Sequence, residues 1–275
     1  MIHWTTWQLL TATWFWDPSI FIGSAALLAI YWKWGRPRTR RQALWFSGGV
    51  LAMVFALVSP LETLGDTYLF SAHMLQHLLL LLVTPPMLLL GLPPEVAQRI
   101  VAEPFLGMVE RVLRRPYIAW PLGVLTIWVW HIPALYNATL ADEQIHILEH
   151  LLFMVTAVIF WWPILSPLPA SRIPPLAVIP YLFAAAAASS ILGIILTFTP
   201  PGLYPAYLYP LDELGALPLI RDGWGLSSTA DQQIGGLLMW VPGSLVYLSG
   251  IIFALARWYS APEEDNFDTA LAEIA

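Results

Sequence analysis

The chain has 275 residues, 58% hydrophobic and 11% charged, with a net charge of −6 and a mean hydropathy of +0.68. A soluble domain carries about one-quarter charged residues, so a chain this poor in charge cannot clothe a water-facing surface, and most of its surface must face lipid. It contains no cysteine, which excludes disulfides, thiolate metal sites and iron–sulfur clusters; no nucleic-acid partner is expected.

The opening segment 1–18 is rich in tryptophan and has neither a basic n-region nor an A-x-A site, so the first membrane span is expected to be kept in the mature fold. Crossing a ~30 Å hydrocarbon core takes roughly 20 apolar residues. Seven such runs are predicted, at 19–34, 42–59, 68–91, 117–136, 144–165, 174–199 and 231–258. In the third, Pro85 and Pro86 are expected to kink or break the helix near its far end. In the seventh, Gly235 and Gly236 are small enough for a neighbouring helix to come close. The segment 200–230, with TPPGLYPAYLYP and DGWG, is expected to form an ordered cap. The acidic tail 259–275 reads as a solvated end. The fold class is therefore all-α, a polytopic seven-helix membrane domain over 19–258 between these two terminal segments.

Basic residues orient the spans. Lys33, Arg36, Arg38, Arg40 and Arg41 lie between the first and second, and Arg99, Arg111, Arg114 and Arg115 between the third and fourth. Arg172 and Arg257 follow the fifth and seventh, and only Arg221 falls on the other side. The positive-inside rule puts the basic loops and the C-terminus in the cytoplasm and the N-terminus outside.

This orientation places all six histidines toward the outer side. His73 and His77 open the third span, His131 lies at the outer end of the fourth, His146 and His150 open the fifth, and His3 is in the N-terminal segment. Each pair is four residues apart, which puts both rings on one helical face. Polar groups at membrane depth are expensive and tend to be functional, so the two pairs read as metal or cofactor ligands. His131 reads equally as ligand or as interfacial residue, and His3 as interfacial. Gln76 and Glu149 flank the pairs, Glu149 as a group that fixes an imidazole tautomer. Asp231 reads as a helix cap, Gln232 as a bridge between helices, and Met239 as core before ligand.

Imidazole suits copper, zinc, iron and nickel; calcium and magnesium prefer oxygen. Haem held between a histidine of the third span and one of the fifth remains open, as does a zinc-dependent intramembrane hydrolase, since HILEH matches the inverted zinc-protease pattern H-x-x-E-H. A metal-free scaffold whose histidines only pack is the third alternative.

The stretches SPLETLGDTYLFSAHMLQHLLLLLVTPPMLLLG, WVWHIPALYNATL, HILEHLLFMVTAVIFWWPIL and DQQIGGLLMWVPGSLVY resemble the multispan CtaG family of cytochrome c oxidase assembly factors. The resemblance covers about 45–258 and includes His73, Gln76, His77, His131, His146, Glu149, His150, Asp231, Gln232 and Gln233. It implies a non-enzymatic protein of the bacterial plasma membrane that helps form active haem–copper oxidase, with a copper ion as cargo and copper-containing oxidase subunits as partners.

Overall fold

The computed structural model describes residues 4–260, and every regular element among them is helical. His3 and the tail from 261 onward lie outside the described residues.

A short α1 (Thr6–Ala12) precedes α2 (Pro18–Trp34), α3 (Arg40–Val58) and the two-turn α4 (Pro60–Thr67). Helix α5 (Phe70–Leu78) runs through a π-helical turn (Leu79–Val83) into α6 (Thr84–Gly91). Then come α7 (Pro94–Ala102), α8 (Pro104–Leu113), α9 (Pro116–Trp130), α10 (Pro133–Ala141) and α11 (Glu143–Leu165). The last are α12 (Pro175–Phe198), α13 (Pro205–Leu208) and α14 (Ser228–Tyr259). The starts are chemically marked. Side-chain oxygens of Thr5, Asp17, Thr39, Ser59, Asp142 and Ser227 accept from first-turn amides. Several other helices begin on proline, where the missing N–H would have had no helical partner.

Among the described residues, five units are long and apolar enough to cross a membrane: α3, the joined α5–α6, α11, α12 and α14. The α9–α10 pair makes a sixth if its 72° bend lies within one span. Helix α2 has 17 residues, about 25 Å at 1.5 Å per residue, slightly less than a ~30 Å core. The predicted uninterrupted helix over 117–136 is corrected: α9 stops at Trp130. Pro133 starts a new helix, and Ile132 before it is extended, because the proline ring disfavours helical backbone in the preceding residue.

The proline pair of the third span has a different outcome from a break. Pro85 offers no N–H to the carbonyl of Leu81 four residues earlier. The indole Nε1–H of Trp161 on α11 donates to that carbonyl instead, at 3.1 Å, and a π-helical turn stands just before the prolines. Trp161→Phe keeps an aromatic side chain but removes the indole N–H and strands the carbonyl, so it is expected to destabilise the protein by about 1–3 kcal/mol, read as a lower Tm in detergent.

Small residues set the helix spacing. A Cβ on Gly236 would stand 2.4 Å from Thr197 Oγ1 and 2.7 Å from the Gly193 carbonyl, and one on Gly235 would meet the Phe70 ring at 2.3 Å. Backbone-to-backbone approach of α14 to α12 and α5 therefore depends on the absence of side chains. Ser190 and Ser244 add a 3.0 Å hydrogen bond across the α12–α14 seam.

At one end of the bundle, residues 204–226 and α1 fold over α4. Leu9, Leu64, Tyr68, Leu69, Ala216 and Ile220 form a second small core there. Trp4 Nε1–H donates to the Leu214 carbonyl at 2.8 Å, and Trp224 Nε1–H to Thr6 Oγ1 at 2.8 Å. Tyr204 and Tyr207 reach inward, their hydroxyls donating to the His131 carbonyl (2.9 Å) and the Gly65 carbonyl (2.7 Å). The segment forms an ordered cap.

Candidate metal centre

Helices α4, α5 and α11 meet beneath that cap. The i,i+4 spacing puts His73 and His77 on the face of α5 that looks at α11, and His146 and His150 on the facing side of α11. Ring centroids are 4.3 Å apart within the first pair and 4.1 Å within the second. Across the helices they are 5.3 Å for His73–His146 and 5.7 Å for His77–His150. All four rings are buried. Glu149 points between them, with Oε2 3.9 Å from His73 Nε2 and Oε1 3.9 Å from His77 Nε2.

Helix α4 supplies the acids that the sequence reading passed over. Asp66 lies 3.7 Å from His73 Nδ1 and 3.5 Å from His146 Nδ1, and Glu62 is 4.0 Å from His146 Nδ1. Gly65 makes this approach possible, since a Cβ there would stand 3.0 Å from the His73 backbone. The available signal was the i,i+4 acid pair in SPLETLGD, just ahead of the first histidine pair.

Two sets of donors can close on an ion. His73, His77, Glu149 and His150 form one, and Asp66, His73 and His146 the other; within each set the donor atoms lie within 4.8 Å of one another. Four-coordinate bonds of about 2.0–2.1 Å need donors roughly 3.4 Å apart, so a contraction of up to about 1.4 Å would close the four-donor set, while the three-donor set would leave one position open. Both nitrogens of His73 and His77, both oxygens of Glu149, Nε2 of His146 and His150, and Oδ1 of Asp66 are buried without a hydrogen-bond partner among the described residues. Leaving one such group unpaired costs about 1–3 kcal/mol. A cation among them would use their lone pairs together, so this donor set fits a transition-metal ion.

The remaining sequence candidates divide. Gln76 turns away and donates to the Ala56 carbonyl at 3.0 Å and to the Glu62 carboxylate. Asp231 caps a different helix from its own: it accepts from the amides of Phe70 (2.8 Å) and Ser71 (3.1 Å) and from the Ser71 hydroxyl (2.5 Å). Gln232 Nε2 donates to the carbonyls of Leu196 and Thr199, tying α14 to α12. His131 stands just outside the cluster, 6.0 Å from the His77 ring, and Met239 lines a cavity beside it.

Outside the spans, burial raises the carboxyls of α4. Glu62 is pushed up from 4.5 to about 8 by burial and then by Asp66, and Asp66 from 3.8 to about 7 by burial and then by Glu143. An acid whose folded pKa is raised contributes stability below its unfolded pKa and loses it as pH rises through the folded value. The Glu62→Gln/Asp66→Asn variant should therefore match wild type near pH 4 and outmelt it by about 5 °C near pH 8.5. The check is metal-free thermal unfolding of both proteins across that range.

The family model for cytochrome c oxidase caa3 assembly factors matches residues 25–261. Uncharacterized proteins of Mycobacterium leprae (strain TN) and Mycobacterium tuberculosis (strain CDC 1551 / Oshkosh) are 27% and 26% identical over 269 residues, covering 88% of this chain. The chain spans 39% of the length of each of these relatives. No solved structure matches. With its apolar helices and a match over nearly the whole described chain, this protein belongs to the cytochrome c oxidase caa3 assembly factor family.

Proposed function

We propose that the protein handles copper for a haem–copper oxidase, holding the ion in the α4–α5–α11 cluster and passing it to a copper-containing oxidase subunit. The observation that carries this reading is the set of buried imidazole and carboxylate donors with no partner of their own. His73 belongs to both donor sets, so an ion could move from one to the other without losing every ligand. Such overlap suits transfer better than permanent storage. The alternation of basic loops supports seven spans, α2 and the bent α9–α10 included, in the plasma membrane, with the capped end and its cluster outside and the C-terminus in the cytoplasm. The close cross-helix ring spacing favours a single ion over a haem, whose flat macrocycle needs a slot between its axial ligands.

The test is elemental analysis of the purified full-length protein after copper loading, beside His73→Ala/His77→Ala, together with the copper content of oxidase from cells carrying either form. Wild type should retain at least about one equivalent more than the variant, with oxidase copper falling in parallel in cells carrying the variant. A wild-type protein that takes up no copper, or a variant that sustains full oxidase copper, rejects the reading.

A further inference from the structure

His131 and Met74 meet in a way that neither residue's ordinary chemistry explains. The His131 ring sits at the C-terminal end of α9, with Nδ1 2.7 Å from the Ile127 carbonyl. A carbonyl only accepts, so in the neutral ring the proton is on Nδ1 and Nε2 carries a lone pair. That lone pair faces Met74 Sδ at 3.3 Å, and a thioether has no proton to give. Two buried acceptors thus point at each other, both side chains being at least nine-tenths buried. Met239, on α14, lines the same cavity together with His77. Three helices therefore bring two thioethers and one imidazole to a single apolar opening.

We propose that Met74, His131 and Met239 form a soft-metal position for Cu(I), next to but distinct from the imidazole–carboxylate cluster. Bonds of about 2.0 Å to nitrogen and 2.3 Å to sulfur close on the observed N···S separation with an angle of about 100° at the ion. The observed separation is therefore compatible with one ion bonded to both His131 and Met74. Thioether sulfur selects Cu(I) over zinc, calcium or magnesium. The acids of α4 and Glu149 favour divalent ions, whereas this position contains no carboxylate. His77 touches both environments: its Nε2 is 3.9 Å from Glu149 Oε1, and its ring lines the methionine cavity.

The test uses full-length protein in detergent, loaded anaerobically with Cu(I), and X-ray absorption at the copper edge; Ag(I), which does not change oxidation state here, serves as a second probe. Wild type should show a sulfur shell at about 2.3 Å. Met74→Leu/Met239→Leu, close to volume-conserving, should lose that shell and bind Cu(I) and Ag(I) at least about tenfold more weakly, while zinc uptake by the histidine cluster is unchanged. Met74→Leu alone should reduce the sulfur amplitude, which keeps the proposal testable if the double variant fails to fold. Met87→Leu, remote from the cavity, should change nothing. Wild-type copper without sulfur neighbours, or a sulfur shell that survives in the double variant, overturns the proposal. A sulfur shell in a protein that takes up no zinc or Cu(II) would sustain it while rejecting the histidine cluster.

Discussion

Glu149→Gln is expected to make the metal-free protein more stable and, at the same time, to weaken its hold on divalent metal. Glu149 is fully buried, and neither carboxylate oxygen has a hydrogen-bond partner. An unpaired buried carboxyl disfavours the folded state, whereas the amide of glutamine has the same shape and offers protons to the neighbouring imidazole nitrogens. Removing the mismatch should raise stability by about 1–3 kcal/mol, or roughly 2–10 °C in Tm. The same change withdraws the only carboxylate of the His73–His77–Glu149–His150 set, and affinity for Cu(II) or zinc should fall by about 100-fold or more. The opposed signs are the diagnostic feature. A carboxyl kept for packing would give a neutral or lower Tm on substitution, with metal uptake unaffected. Parallel thermal unfolding and metal titration of wild type and variant decide between the two.

Gly236→Val should be among the most damaging single substitutions outside the cluster. A Cβ alone would lie 2.4 Å from Thr197 Oγ1, 2.6 Å from the Thr197 amide nitrogen and 2.7 Å from the Gly193 carbonyl. Two of these are backbone atoms in the last two turns of α12, which cannot swing aside as a side chain would. The helices must separate, and the loss spreads along the seam, because in lipid close packing rather than water exclusion holds helices together. Overpacking ordinarily costs about 1–3 kcal/mol; with neighbouring backbone as the obstacle, about 3 kcal/mol or more is expected here. Size-exclusion yield and Tm in detergent measure it. Gly23→Val, at a position with open space around it, is the matched control and should behave as wild type. Equal yields and melting points for the two variants would contradict the account of the seam.

The residues that converge on the site were legible to different degrees. Two HxxxH pairs on helices four residues per repeat must each show one face, so the sequence could nominate His73, His77, His146 and His150 together. It could not show that α5 and α11 turn those faces toward each other, because that depends on how the helices rotate when Gly235 admits Phe70 and Trp161 reaches the Leu81 carbonyl. Glu62 and Asp66 were missed because an acid pair near a span boundary reads as solvated until α4 is folded back over His73 at Gly65. The end of α9 at Trp130 was foreseeable from the His-Ile-Pro order, which the hydrophobic run concealed. Met74 gave no signal: a methionine on an apolar helix is ordinary core, and only its 3.3 Å approach to His131 singles it out.

By itself the sequence determined that this is an all-helical membrane protein without thiol chemistry, since 58% hydrophobic residues and the absence of cysteine allow little else, and its motifs carried the family. Those properties follow from composition and local spacing, which each helix expresses before it meets another. Tertiary structure alone decided which polar groups share one buried space, that Asp231 caps α5 rather than its own helix, and that His131 faces a thioether. Contacts between helices distant in the chain depend on how glycines, prolines and the cap set distance and rotation, and no local pattern encodes those quantities.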